Sequence, residues 1–245
     1  MIARIHRGKG ERYDDYEVEI TSSMTVLDLL FLIQENIDQS LAFRYSCRGA
    51  ICGSCAVLAN GRPVLACKTP VARITEQKNS DQVSLDTKKG QPEGGILLEP
   101  IPKLPVIRDL IVDYDPFFEE YRKLEPVLNV ENVHPEKEYL VGKDESMEME
   151  KYTNCILCAL CWSACPVISE VDGYPGPAAL AKLFRFYLDP REPGGIKRLY
   201  LADHETGWWA CDFYTNCKMV CPRGVPPNVA IGRARKLLKD EEDEG

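Results

Sequence analysis

Apolar and polar residues alternate at the start of the chain. Residues 2–7 and 16–20 therefore read as two strands, with Gly8-Lys9-Gly10 and Asp14-Asp15 in the turn between them. The period then changes: Val26, Leu29, Leu30 and Ile33 recur at helical spacing, which predicts a helix capped by Ser23 or Thr25 and running to about Ile37. A loop carrying Cys47, Cys52 and Cys55 follows. Ala56-Val57-Leu58 predicts a short strand that turns at Asn60-Gly61 into Val64-Leu65-Ala66, because Asn and Gly accept the positive φ that a two-residue hairpin demands. Strand, strand, helix, cysteine loop, hairpin is the order of a small β-grasp domain.

Pro92, Pro100, Pro102 and Pro105 mark a connector, and the boundary is placed near 105. Beyond it, helical periodicity dominates around 115–124, 176–188 and 227–239, and long β patterns are absent. The fold class expected is α+β, with a β-grasp domain over 1–105 and an all-α domain over 106–245.

Composition narrows the chemistry. With 44% hydrophobic and 28% charged residues, wholesale disorder and collagen-like fibres are excluded. The most apolar run, residues 26–33, is short and contains Asp28, whereas a membrane span needs about 20 apolar residues. The charged start, Met1 to Lys9, predicts no secretory signal and a reducing compartment for the cysteines. No dinucleotide fingerprint or P-loop appears, so no nucleotide or flavin site is expected in this chain. Cys55, Cys158 and Cys161 are followed by Ala, Ala and Trp, which excludes the C-x-x-C-H signature of covalent haem there. Residues 151–239 hold 12 basic and 7 acidic side chains, and positive charge favours the thiolate form that binds metal. These basic residues are dispersed, so nucleic acid is not an expected partner.

Eleven cysteines is an odd number, so disulfides alone cannot pair them. Cys47-x4-Cys52-x2-Cys55-x11-Cys67 has the plant-type ferredoxin spacing for a [2Fe–2S] cluster, with Gly49 and Gly53 letting the loop curl. A structural zinc site is the competing reading, but it uses pairs of C-x2-4-C. Cys155-x2-Cys158-x2-Cys161-x3-Cys165-Pro166 is the bacterial ferredoxin run, whose fourth cysteine serves the other cluster of a pair. Overlaid on it, Cys211, Cys217 and Cys221 take the first, third and fourth places, and Tyr214 takes the second. Crossing the fourth cysteines gives Cys155, Cys158, Cys161 and Cys221 for [4Fe–4S], and Cys165, Cys211 and Cys217 for [3Fe–4S]. A decayed second site without a cluster is the bland alternative. His6, His134 and His204 fit no ligand spacing and read as exposed or hydrogen-bonded residues. Arg48, inside the first loop, either raises a cluster potential by its charge or is simply solvated.

The residues resemble the iron–sulfur subunit of the succinate dehydrogenase / fumarate reductase family. The matching segments are Ser46-Cys-Arg-Gly-Ala-Ile-Cys-Gly-Ser-Cys-Ala56, Leu65-Ala-Cys-Lys-Thr69, Pro105-Val-Ile-Arg-Asp-Leu110, the run from Cys155 to Pro166, Gly176-Pro-Ala-Ala179 and Cys217-x3-Cys-Pro222. The resemblance implies a subunit that joins a flavoprotein bearing FAD, where succinate and fumarate interconvert, to membrane anchor subunits with a quinone site. It implies a peripheral place on the cytoplasmic face of the inner membrane, with the [3Fe–4S] end facing the membrane. The neighbourhood it suggests for quinone is Pro166, Trp208, Trp209, Asp212, Tyr214 and Arg235. Trp208 and Trp209 read equally as core or interface residues.

Many ubiquinone-using members have tryptophans shortly after the Cys-Pro matching Cys165-Pro166, where this chain has Val167-Ile-Ser-Glu170. Asp212 stands where a histidine often follows, and Arg235 where menaquinol-linked relatives carry a basic residue. The resemblance thus leans toward a menaquinone-type member. The rival readings are a soluble multi-cluster ferredoxin, a redox-inert zinc module, and the corresponding subunit of a fumarate reductase that uses thiols instead of quinol. That last type commonly adds a cysteine-rich C-terminal domain, and this sequence ends 24 residues after Cys221.

Overall fold

In the computed structural model, which describes residues 1–76, 83–86, 90–130 and 138–244, the first hairpin closes earlier than the alternation predicts. β1 (Ile2–Arg7) pairs antiparallel with β2 (Arg12–Glu17), from Ile2↔Glu17 to Arg7↔Arg12. Asp14 and Asp15 therefore lie in the strand, not in the turn. Charge pairing is the reason: Arg4 forks onto both Asp15 carboxylate oxygens at 2.7 Å, and Arg12 reaches Asp14 at 2.8 Å.

α1 (Val26–Asn36) starts at Thr25, not Ser23. The Thr25 hydroxyl accepts from the Asp28 N–H at 3.1 Å and the Asp28 carboxylate accepts from the Thr25 N–H at 2.9 Å, a reciprocal cap. Its apolar stripe, Val26, Leu29, Leu30 and Ile33, is buried as the helical spacing predicts. β3 (Ala56–Ala59) and β4 (Arg62–Leu65) are joined at Asn60 and Gly61, whose φ values are 47° and 76°.

A short helix, α2 (Val71–Glu76), precedes a strand that the alternation hides. β5 (Ile96–Glu99) is buried at all four positions, lies parallel to β1 and antiparallel to β3, and completes a sheet of order β2-β1-β5-β3-β4. A strand covered on both faces has no polar alternation to read. The Asn60 side chain also pins it, accepting the Leu97 N–H at 2.6 Å.

Past Pro105, β6 (Val106–Arg108) and β7 (Ile111–Val112) form a small hairpin. At its tip Asp109 is buried with φ 51°; its carboxylate accepts the N–H groups of Gly8 at 2.6 Å and Ala42 at 2.8 Å, with the Arg7 guanidinium 3.3 Å away. Arg7 is itself buried and also binds Asp38, Tyr16 and Ser40. These bonds tie the end of β1 to the segment leading into the cysteine loop.

The helical part comprises α3 (Asp115–Lys123), α4 (Lys143–Thr153), α5 (Leu160–Ala164), α6 (Val167–Glu170), α7 (Gly176–Tyr187), α8 (Asn216–Met219) and α9 (Pro227–Glu244), with 3₁₀ turns at Gly195–Ala202 and Trp208–Ala210. The chain forms two compact units. The first is Met1–Tyr114 together with Ile156–Ala164; the second is Asp115–Cys155 together with the chain from Cys165 onward. The first unit thus continues past residue 105 and takes in α5, whose Trp162 indole donates to the Lys103 carbonyl at 3.2 Å. The second unit is helical among its described residues. Leu180, Phe184, Leu199, Trp208, Ile231 and Ala234 form the centre of its core, each large apolar side chain contributing roughly 1.5–3 kcal/mol. Among the described residues, no helix is long and apolar enough to cross a membrane.

Candidate metal centres

None of the eleven cysteines is joined in a disulfide. Their loops share an unusual backbone. Arg48 and Ala50 beside Cys47, Leu157 and Ala159 flanking Cys158, and Phe213 and Thr215 after Cys211 all have φ between 52° and 64°. Such residues cost about 1–3 kcal/mol each outside glycine. Spacing them two apart turns successive N–H groups to one side, the arrangement that cradles anions and iron–sulfur clusters. Only glycine was singled out for this bending from the sequence, and Gly49 does not supply it: a Cβ there would meet nothing closer than 3.7 Å, and the positive φ falls on its neighbours.

In the first loop, the Cys47 sulfur accepts N–H groups of Gly49 at 3.4 Å, Ile51 at 3.3 Å and Cys52 at 3.3 Å. The Cys52 thiol is lowered to about 6, chiefly by a backbone hydrogen bond with Cys47, then by Ser54. Cys55 is buried, and that burial pushes its thiol up to about 12. Cys67 follows β4, so the hairpin carries the fourth thiol back toward the loop. Gly53 is required twice over: its φ is 75°, and a Cβ would lie 2.8 Å from the Cys158 Cβ and 3.0 Å from the Ile156 carbonyl oxygen. Tyr114, half-buried and raised in pKa chiefly by desolvation, donates its hydroxyl to the Cys158 carbonyl at 3.5 Å. Arg48 is exposed and also meets two aromatic rings. Its guanidinium lies 4.7 Å from the Phe31 ring and 5.2 Å from the Tyr45 ring, a cation–π clasp at the loop's edge.

In the second unit, Cys165, Cys211 and Cys217 line one cavity, together with Pro166, Tyr214 and Asn228. Cys165 and Cys217 are buried, and burial pushes the Cys217 thiol up to about 12. The backbone N–H of Asn228, in the first turn of α9, opposes that rise by hydrogen-bonding to Cys217. The N-terminus of a long helix is thus directed at a thiol, an arrangement that favours its anionic form. Phe213 N–H donates to the Cys211 sulfur at 3.4 Å. Tyr214 is 49% exposed, and its phenol is raised by Glu170, then burial, then Asp212 and Cys165. A neutral phenol is a poor replacement for a fourth thiolate.

Among the described residues, no three His, Cys, Asp or Glu side chains close around a single metal ion. A cluster asks for something different, since each thiolate binds its own iron and the sulfurs stay spread apart. Three convergent thiols, N–H donors on sulfur and anion-cradling backbone fit that demand.

The remaining predicted residues separate. Trp208 is fully buried and donates its indole N–H to the Leu199 carbonyl at 2.8 Å, so it is core and offers no face to a ligand. Trp209 is half-buried, donates to Asp203 at 2.7 Å, and carries the Arg235 and Lys239 cations over its ring at 5.4 and 5.5 Å. Arg235 donates to the carbonyls of Trp208 at 2.7 Å and Cys211 at 2.8 Å. It therefore clamps the segment entering Cys211. Asp212 is exposed. His6 is buried on the Asp109 carbonyl at 3.0 Å and His204 meets the Thr206 hydroxyl at 3.0 Å, while His134 lies outside the described residues. Asn228 was missed; the only local signal was its place just inside a helix opened by Pro226-Pro227.

Comparison with known proteins defines the class first. Residues 1–119 match a family described as a 2Fe-2S iron-sulfur cluster binding domain, and residues 151–225 one described as a 4Fe-4S dicluster domain. The chain is 34% identical to the fumarate reductase iron-sulfur subunit of Haemophilus influenzae, over 90% of this chain and 84% of the relative. It is 36% identical to the subunit of that name in Mycobacterium tuberculosis, over 90% and 83%. It is 31% identical to the succinate dehydrogenase iron-sulfur subunit of Paracoccus denitrificans, over 95% and 84%. The chain belongs to the succinate dehydrogenase / fumarate reductase iron–sulfur subunit family. Its fold matches a chain of the Mycobacterium smegmatis Sdh1 complex in the apo form with TM-score 0.83 and 24% identity, covering 98% of this chain and 95% of the other.

Proposed function

We propose that this subunit passes electrons between a flavoprotein and a quinone site at a membrane, through three clusters. Cys47, Cys52, Cys55 and Cys67 hold [2Fe–2S] on a β-grasp domain. Cys155, Cys158, Cys161 and Cys221 hold [4Fe–4S], and Cys165, Cys211 and Cys217 hold [3Fe–4S]. The observation that carries this reading is the single cavity that gathers Cys165, Cys211 and Cys217 with Tyr214, which stands at the second motif place where a cysteine is missing.

When bound, the clusters supply one-electron carriers. The chain's own residues hold and tune them. Thiolates anchor the irons, and backbone N–H groups on Cys47 and Cys211 stabilise negative sulfur. The burial of Cys55, Cys165 and Cys217 keeps water from those ligands. Succinate–fumarate chemistry belongs, on this reading, to FAD on the flavoprotein. Pro166, Trp209, Asp212, Tyr214 and Arg235 form the quinone neighbourhood, of menaquinone type, with Arg235 acting as a positioning residue through the Cys211 carbonyl. Anchor subunits hold the protein peripherally at the cytoplasmic face of the inner membrane.

Electron paramagnetic resonance during a redox titration of the purified complex tests this. The expected result is an oxidised three-iron signal beside a reduced [2Fe–2S] signal, with a larger flavoprotein co-purifying. A second [4Fe–4S] signal in place of the three-iron one would sink the argument from Tyr214.

A further inference from the structure

Asn228 carries a feature that nothing in the assigned ligand set uses. It lines the cavity with the three cysteines, its backbone N–H serves Cys217, and its side-chain oxygen is buried with no hydrogen-bond partner. An unmet buried acceptor costs roughly 1–3 kcal/mol. It is also the wrong polarity for its surroundings: thiolates and sulfides accept hydrogen bonds, so a carbonyl oxygen beside them adds repulsion. A carboxamide removes both penalties by a half-turn about its last bond, which exchanges oxygen for an NH₂ of nearly identical shape.

We infer that the Asn228 side chain turns its amide N–H onto a sulfur of the three-thiolate cluster and sets that cluster's potential. This rests on the [3Fe–4S] reading above. No bond to iron is involved; Asn228 is a positioning residue acting through sulfur. Hydrogen bonds to sulfur favour the more negative, reduced state, so this donor raises the potential. Its place matches the role: as the second residue of α9, Asn228 presents a backbone donor and a side-chain donor to the same site.

The test is a potentiometric titration of the clusters in the purified complex, followed by paramagnetic resonance, for wild type, Asn228→Leu and Asn228→Asp. Leu removes the donor at similar volume; Asp keeps the shape but replaces the donor with an anion. We expect Leu to shift the oxidised-to-reduced ratio of the three-iron centre about tenfold toward oxidised at fixed potential, a drop of about 59 mV for a one-electron couple. Asp should lower it further, and the [2Fe–2S] potential should stay unchanged in both. Wild-type three-iron potentials in both variants would overturn the inference, as would equal shifts of both centres. Loss of the three-iron signal from both variants would also overturn it, since it assigns tuning and not cluster retention. If wild type itself shows no three-iron signal, it is the cofactor reading that fails.

Discussion

The two cysteine sites that each lie within one unit are built in opposite ways. The first draws three of its cysteines from one loop on a sheet and leaves Cys47 and Cys52 exposed. The second draws its three from segments more than 40 residues apart and buries two of them among helix ends. Their supports are opposite too. Asp109, an acceptor, grips the N–H groups of Gly8 and Ala42 before the first loop; Arg235, a donor, grips the carbonyls of Trp208 and Cys211 at the second. A loop of short sequence span needs its backbone bent and its approach fixed. A site assembled from distant segments needs those segments held in place. In each case a charged side chain bonded to backbone groups provides the hold.

Removing these supports should separate the two sites. Asp109→Ala leaves Arg7 short of a buried counter-charge and frees two N–H groups, a loss of about 3–5 kcal/mol. Chemical denaturation should show it, with the first loop's visible absorption weakening before the three-iron signal. An unchanged midpoint would refute the role given to Asp109.

Gly53→Ala combines a strained positive φ with a 2.8 Å approach to the Cys158 Cβ; left-handed backbone and overpacking together cost about 2–4 kcal/mol. The [2Fe–2S] spectrum should change while the three-iron signal keeps its shape. If Gly53→Ala loads normally at wild-type thermal midpoint, the close approach is wrong.

The smallest expected effect is at the other site. Arg235→Met keeps much of the apolar stem but loses two charged hydrogen bonds; both are only part-buried, so water takes over the carbonyls and the net loss for the pair is about 1.5–3 kcal/mol. Arg235→Lys should recover little of it, since one ammonium does not match the fork that spans two carbonyls. Three-iron content should fall while [2Fe–2S] content holds; equal losses at both centres would break the proposed division.

How much of this was legible depends on sequence range. The capped helix, the Asn60-Gly61 hairpin and the helices near 115, 176 and 227 were readable because each is set by neighbours within one or two turns. β5 was not, because burial on both faces erases alternation, and β2 was misplaced because Asp14 and Asp15 look like turn residues until Arg4 and Arg12 are found beside them. The bent loops were foreseen, but the bending was assigned to glycine when alanine, leucine, arginine and other residues carry much of it.

The sequence by itself determined the number, spacing and grouping of the cysteines, and with them the family. Ligand chemistry is a property of side-chain identity and local spacing, and both can be read along the chain. The crossed ferredoxin spacing already grouped Cys165 with Cys211 and Cys217; only the tertiary structure decided that Trp208 is core, and that Asp109, Arg235 and Asn228 serve the sites. Each of those facts is a contact between segments remote in sequence. Packing of the folded chain creates such contacts, and no local pattern encodes them.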